Sequence, residues 1–166
     1  MQETIEEIPW QTCYKRNLIY IIFLHLRNTI LDANENHLKK LDYKYDRLEI
    51  TGMWANCLFA GDSHAPHTHS NNFLSGVYYL TAGKESSPIQ FFDPRPQAQV
   101  LRPRNKTNWN NASMIQFSAV QGKGYIFPSW LLHWVPPTGD ERISISWNII
   151  LRGEYGEPKT LQNAYI

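Results

Sequence analysis

From Glu49 onward the chain is cut into short apolar runs by clusters of Gly, Pro, Asn and Asp. Several of these runs have the β-branched and aromatic content of buried strands. The runs are Leu48 to Phe59, Phe73 to Leu80, Pro88 to Phe92, Met114 to Val120, Gly124 to Pro128 and Arg142 to Ile150. Many short strands at such spacing predict an antiparallel sandwich or barrel. Before them, about residues 17 to 48, the apolar run Leu18 to Leu26 reads as a buried strand or helix, and Asp32 offers a cap for a further helix. One or two N-terminal helices are therefore expected to pack outside a mainly β body. The 166 residues suit a single domain, with a chemistry-bearing core at about 50–150.

Composition excludes several classes of function. A net charge of +1 with basic residues spread along the chain gives no stripe for nucleic acid. The run Leu18 to Leu26 contains His25 and is too short to span a bilayer. Its acidic flank (Glu3, Glu6, Glu7) is wrong for a signal peptide, so Asn105-Lys-Thr carries no weight as a glycosylation site. Cys13 and Cys57 form no disulfide framework and no zinc spacing; the expectation is reduced, structural thiols in a cytoplasmic protein.

Three of the six histidines lie between His64 and His69. In an extended segment His67 and His69 share a face, so both imidazoles could reach one cation, or the stretch is a polar loop. His133 sits between Leu132 and Trp134, with Trp130 nearby. That apolar setting suits a neutral imidazole, either as a metal ligand or as a core histidine bonded to backbone. Arg142 and Ser144 share a face of a strand, a pairing that suits a carboxylate. The alternative is a surface salt bridge of Arg142 with Asp140 or Glu141. A charge facing inward from such a strand needs a partner.

Taken in order, His67-x-His69, Leu74 to Tyr79, Asp93 to Arg95, Phe127 to His133 and Arg142 to Asn148 resemble the iron(II)- and 2-oxoglutarate-dependent dioxygenases. The likeness is to the prolyl-hydroxylase-like branch, and more narrowly to a bacterial and phage group of 2OG-Fe(II) oxygenases. The resemblance implies a double-stranded β-helix, or jelly roll, with iron(II) at its open end. It implies His67 and His133 as ligands, with His69 standing where the family has a carboxylate. It implies Arg142, Ser144 and Tyr79 as contacts of the far carboxylate of 2-oxoglutarate. Molecular oxygen would be the second reactant, with succinate and CO2 released as a protein side chain, peptide or small molecule is hydroxylated.

Other residues have two readings. Asp62 and Asp93 are the nearest alternative carboxylates, more in keeping with turns or support behind the ligands than with ligation. His64 falls out of phase, at the rim. Asn72 and Asn148 could bond near the metal or close strand ends. Trp130, Trp134, Tyr78 and Phe91 could line a substrate pocket or pack the core. Gly76 in mid-strand implies a close approach. Two rival functions stand beside the oxygenase. One is a cupin-like three-histidine metalloenzyme without 2-oxoglutarate, which Gly61 and the His67/His69 spacing suit but a missing glutamate does not. The other is a jelly-roll binding protein without catalysis.

Overall fold

The computed structural model describes residues 16–95, 100–101, 104 and 106–166. Cys13, Asn105 and the acidic residues Glu3, Glu6 and Glu7 lie outside them. The order is helix α1 (Arg16–Lys40), then strands β1 (Arg47–Leu58), β2 (His64–His67), β3 (Leu74–Ala82), β4 (Ile89–Phe92), β5 (Met114–Phe117), β6 (Gly124–Pro128), β7 (His133–Val135), β8 (Arg142–Arg152), β9 (Glu154–Tyr155) and β10 (Ala164–Tyr165).

A single helix takes up the whole apolar and polar stretch before β1. Asp32 lies in its interior and caps nothing. Helical spacing places Phe23, Leu26, Ile30 and Leu38 on one face, and these residues pack on the sheet beneath. Asn34 falls on the same buried face, where its Nδ2 donates to Ile30 O at 2.7 Å. The helix ends with Tyr43 N bonded to Leu38 O, Asp42 N bonded to Lys39 O, and Asp42 at φ 57°. That is a left-handed C-terminal cap with an aspartate in place of the usual glycine. No described helix is long and apolar enough to cross a membrane.

Two antiparallel four-stranded sheets form the body, in the orders β1-β8-β3-β6 and β2-β7-β4-β5. Val77 and Tyr79 of one sheet and Phe127 beside them pack against Ile89 and Phe91 of the other. The expected jelly roll is the fold observed. The long strand β8 has two buried faces. Ile143, Ile145, Trp147, Ile149 and Leu151 point outward into the core under α1 and β1. Arg142, Ser144, Ser146 and Asn148 alternate with them and point between the sheets. Gly76 pairs with Trp147 across β3 and β8, and a Cβ there would lie 2.1 Å from the indole. The glycine is required by that close approach.

Cys57 lies on the α1-facing side of β1 and is disulfide-bonded. This corrects the expectation of a reduced thiol.

Candidate metal centre

The short strand β2 escaped sequence reading because Pro66 interrupts it and its length is only four residues. It pairs antiparallel with β7, and the register sets His67 directly opposite His133. Directly opposed residues have their side chains within reach on one face, and the two imidazole centroids are 4.4 Å apart. His69 lies beyond the end of β2, so the strand itself does not carry both members of the His-x-His pair. Its backbone N–H donates to Ser129 O at 2.9 Å, which ties it to the turn leading into β7. Its ring stands 5.1 Å from that of His67 and 5.2 Å from that of His133.

The ligand atoms of His67, His69 and His133 all lie within 4.8 Å of one another, a group that could hold a metal ion. Two tautomers are fixed by backbone. His67 Nδ1 donates to Ala65 O at 2.7 Å and His133 Nδ1 donates to Leu131 O at 2.8 Å. In each ring Nε2 is then the nitrogen left for a metal. Burial, with the neighbouring His67 adding to it, pushes His69 down to about 4. Burial likewise pushes His133 to about 4, against the opposing bond to Leu131 O. Both are therefore neutral near pH 7, as ligation demands.

Arg142 is the largest fully buried side chain, at 1% exposure. Its Nη1 donates to Ser144 Oγ at 3.3 Å and its Nη2 to the Tyr79 hydroxyl at 3.2 Å. The guanidinium carbon lies 4.8 Å from the centre of the Tyr79 ring. Burial raises the Tyr79 phenol, with Arg142 opposing, so the hydroxyl keeps its proton. No carboxylate of the described residues pairs with Arg142, and its Nε is buried without a hydrogen-bond partner. The surface salt bridge that the sequence left open is not formed; Asp140 accepts the Glu85 N–H instead. A buried cation with an orphaned donor fits an anionic ligand.

The three histidines, Arg142 and Ser144 line one cavity of about 420 Å³. Val77, Ile89, Phe127 and Val135 give it an apolar wall. His64 also lines it, held below its ordinary value by burial and by Arg142. Trp54, Asn56 and Ser146 belong to this cavity too and were not singled out from sequence. They sit on β1 and β8, where Trp54 pairs with Ser146 and Asn56 with Ser144. The alternation of Trp54 and Asn56 with Met53, Ala55 and Cys57 was the available signal, once β1 is known to pair with β8.

The remaining sequence candidates lie elsewhere. Asn72 bonds Thr51 and Ser70 O in a surface loop. Asp93 receives both Nε and Nη2 of Arg95 in a turn, which also holds its carboxyl down at about 2. Asp62 accepts the Phe59 N–H in another turn. Trp130 is 62% exposed and does not line the cavity. Trp134 donates to Gln90, and Tyr78 packs in the core under α1. Phe91 packs against the back of His133, centroid to centroid 5.8 Å. Asn148 accepts from Ser75 Oγ at 2.7 Å, and Ser75 also shares a 2.8 Å bond with Ser129. That buried chain supports the turn that holds His69.

Residues 52–148, more than half of the chain, match the family described as "Putative 2OG-Fe(II) oxygenase". The fold is similar to that of an oxidoreductase of the 2OG-Fe(II) oxygenase family from Burkholderia pseudomallei, with a TM-score of 0.53 and 13% identity over 69% of this chain and 50% of that one. It is also similar to a prolyl-4-hydroxylase from Pseudomonas putida, with a TM-score of 0.50 and 19% identity over 73% of this chain and 60% of that one. The chain thus spans half to three-fifths of the length of these structures. No curated protein matches it. The family match spans the stretch from β1 to β8, which holds all three histidines and the buried arginine, and by it the chain belongs to the 2OG-Fe(II) oxygenase family.

Proposed function

We propose that the chain is an iron(II)- and 2-oxoglutarate-dependent dioxygenase that hydroxylates a C–H bond of a peptide side chain or small molecule. The observation that carries this reading is Arg142, a buried cation without an anionic partner among the described residues, lining the same cavity as three convergent imidazoles. His67, His69 and His133 would hold iron(II). Bound there, iron would supply the activation of molecular oxygen coupled to decarboxylation of 2-oxoglutarate to succinate and CO2.

The chain's own residues do the rest. Ala65 O and Leu131 O hold two imidazoles as Nε2 ligands. Arg142 receives the far carboxylate of 2-oxoglutarate through charge-assisted hydrogen bonds, with Ser144 and Tyr79 fixing the plane of the guanidinium. Val77, Ile89, Phe127 and Val135 keep the site dry, which strengthens those bonds. A second reading, a three-histidine metalloenzyme without 2-oxoglutarate, rests on His69 standing in the carboxylate position.

Anaerobic titration of iron(II), then of 2-oxoglutarate, into the wild type and Arg142→Ala separates the two. Under the oxygenase reading 2-oxoglutarate binds the iron-loaded wild type. Loss of the arginine then weakens it about ten- to hundredfold, as expected for charge-assisted bonds. Iron binding without 2-oxoglutarate affinity in the wild type removes the oxygenase reading. Unchanged affinity in Arg142→Ala removes the anchor.

A further inference from the structure

The polar lining of the cavity is one-sided. Beside Arg142 it holds four imidazoles (His64, His67, His69 and His133), the hydroxyls of Ser63, Ser144 and Ser146, and the amide of Asn56. Among the described residues no aspartate or glutamate lines it. The nearest candidate by sequence, Asp62, is exposed and turned onto the Phe59 N–H. Asn56 Nδ2 donates to Ser146 Oγ at 3.0 Å, so the serine proton is directed elsewhere. The described walls therefore offer many donors and no fixed negative charge.

A charge count follows. Three neutral imidazoles leave a divalent ion with its full double charge, and Arg142 adds a third positive charge that no described side chain balances. A dicarboxylate on the metal and Arg142 removes two of the three. Isolated charge is costly in a site of low dielectric, and an ion partner is the usual remedy.

We infer that this site draws its negative charge wholly from its ligands, and that the one positive charge left over after metal and dicarboxylate selects a substrate bearing an anionic group. The inference rests on the oxygenase reading for the dicarboxylate but not for the excess charge. His69 is the residue responsible. With an aspartate at that position the same count closes at zero, and a neutral substrate would serve. The donors of Asn56, Ser63 and Ser146 are the remaining polar groups of the wall and are free of the roles proposed for Arg142 and Ser144.

Cobalt(II), which is stable in air and coloured when ligated, is the probe. It is titrated into the full chain in a non-coordinating buffer, with and without 2-oxoglutarate, and then against acetate or the neutral acetamide. The wild type should show acetate altering the cobalt absorption or tightening cobalt binding about tenfold, with acetamide inert. In His69→Asp the acetate effect should fall about tenfold. If His69→Asp fails to fold, Arg142→Gln tests the same count: it should bind cobalt alone more tightly than the wild type, because a repelling charge is gone, while its acetate effect shrinks. An acetate effect without any 2-oxoglutarate effect supports the charge inference while removing the oxygenase reading. Equal acetate effects in wild type and His69→Asp, acetamide acting as well as acetate, or cobalt affinity unchanged in Arg142→Gln would each overturn it.

Discussion

The two faces of β8 are both buried and chemically opposite. The outer face, Ile143 to Leu151, meets α1 and β1 with apolar side chains, and Ile145 and Ile149 are fully enclosed. The inner face presents Arg142, Ser144, Ser146 and Asn148 to the space between the sheets, and Arg142 and Ser144 are as deeply enclosed as the isoleucines. Burial therefore does not separate core from site here. The outer face is stabilised by area removed from water. The inner face carries a desolvated cation and hydroxyls, whose burial is weak evidence for stability.

The comparison can be broken or sharpened by substitution. The largest effect on stability is expected on the outer face: Ile149→Ala should cost about 2–5 kcal/mol by cavity formation. Metal affinity of the folded fraction should stay unchanged. A large loss of metal affinity in the folded protein would show that the two faces are not independent. Gly76→Ala drives a methyl group into the Trp147 ring and should cost about 1–3 kcal/mol by overpacking, measured by denaturant midpoint. A neutral result would mean that the indole moves freely, and that the outer core is looser than its burial implies.

The inner face should respond to pH. His69 and His133 sit at about 4 in the fold against an ordinary value near 6.5. An unfolded chain takes up protons as pH falls through 6.5, while the native site resists until about 4. The stability they contribute is thus full above 6.5 and is lost as pH falls between those values. In the presence of a chelator the melting temperature should fall from pH 6.5 to 5, before most carboxylates titrate, and excess zinc should flatten the slope. A chelated protein with constant melting temperature over that window would contradict the buried neutral imidazoles. The smallest effect on stability belongs to Ser144→Ala, within about 1 kcal/mol for one hydrogen bond of this kind. Yet 2-oxoglutarate affinity should drop several-fold, which calorimetry reads directly. An unchanged affinity would leave Ser144 as filler beside Arg142.

How much of this was legible in the sequence depended on range. The alternation along β8 is local, so the shared face of Arg142 and Ser144 could be read from spacing of two. The meeting of His67 and His133 could not, because it depends on the β2–β7 register and on a register shift between His64 and His67. The sequence placed His69 beside His67 by strand periodicity, and the structure reaches the same closeness by another route, the bond to Ser129 O. A helix is expected from the sequence, but with a cap at Asp32, which lies inside it, because aspartate and asparagine imitate caps. The packing of both Ile30 and Leu38 into the core under the helix is what carries it through this polar segment. Trp54 and Asn56 were hidden for the same reason as the histidine pair: the partner of β1 is β8, at the far end of the chain.

The pairing of His67 with His133 also bears on how the protein comes to exist. The two strands that carry them are short and joined through most of the β body, so their contact closes a long loop. Closing it is entropically costly, and contacts of such sequence separation form slowly. An emerging or refolding chain has no cluster of imidazoles for a cation to organise until both sheets are in place. Metal capture under the proposed function would thus be a late event in folding, and its appearance in a refolding experiment would mark arrival at the native topology.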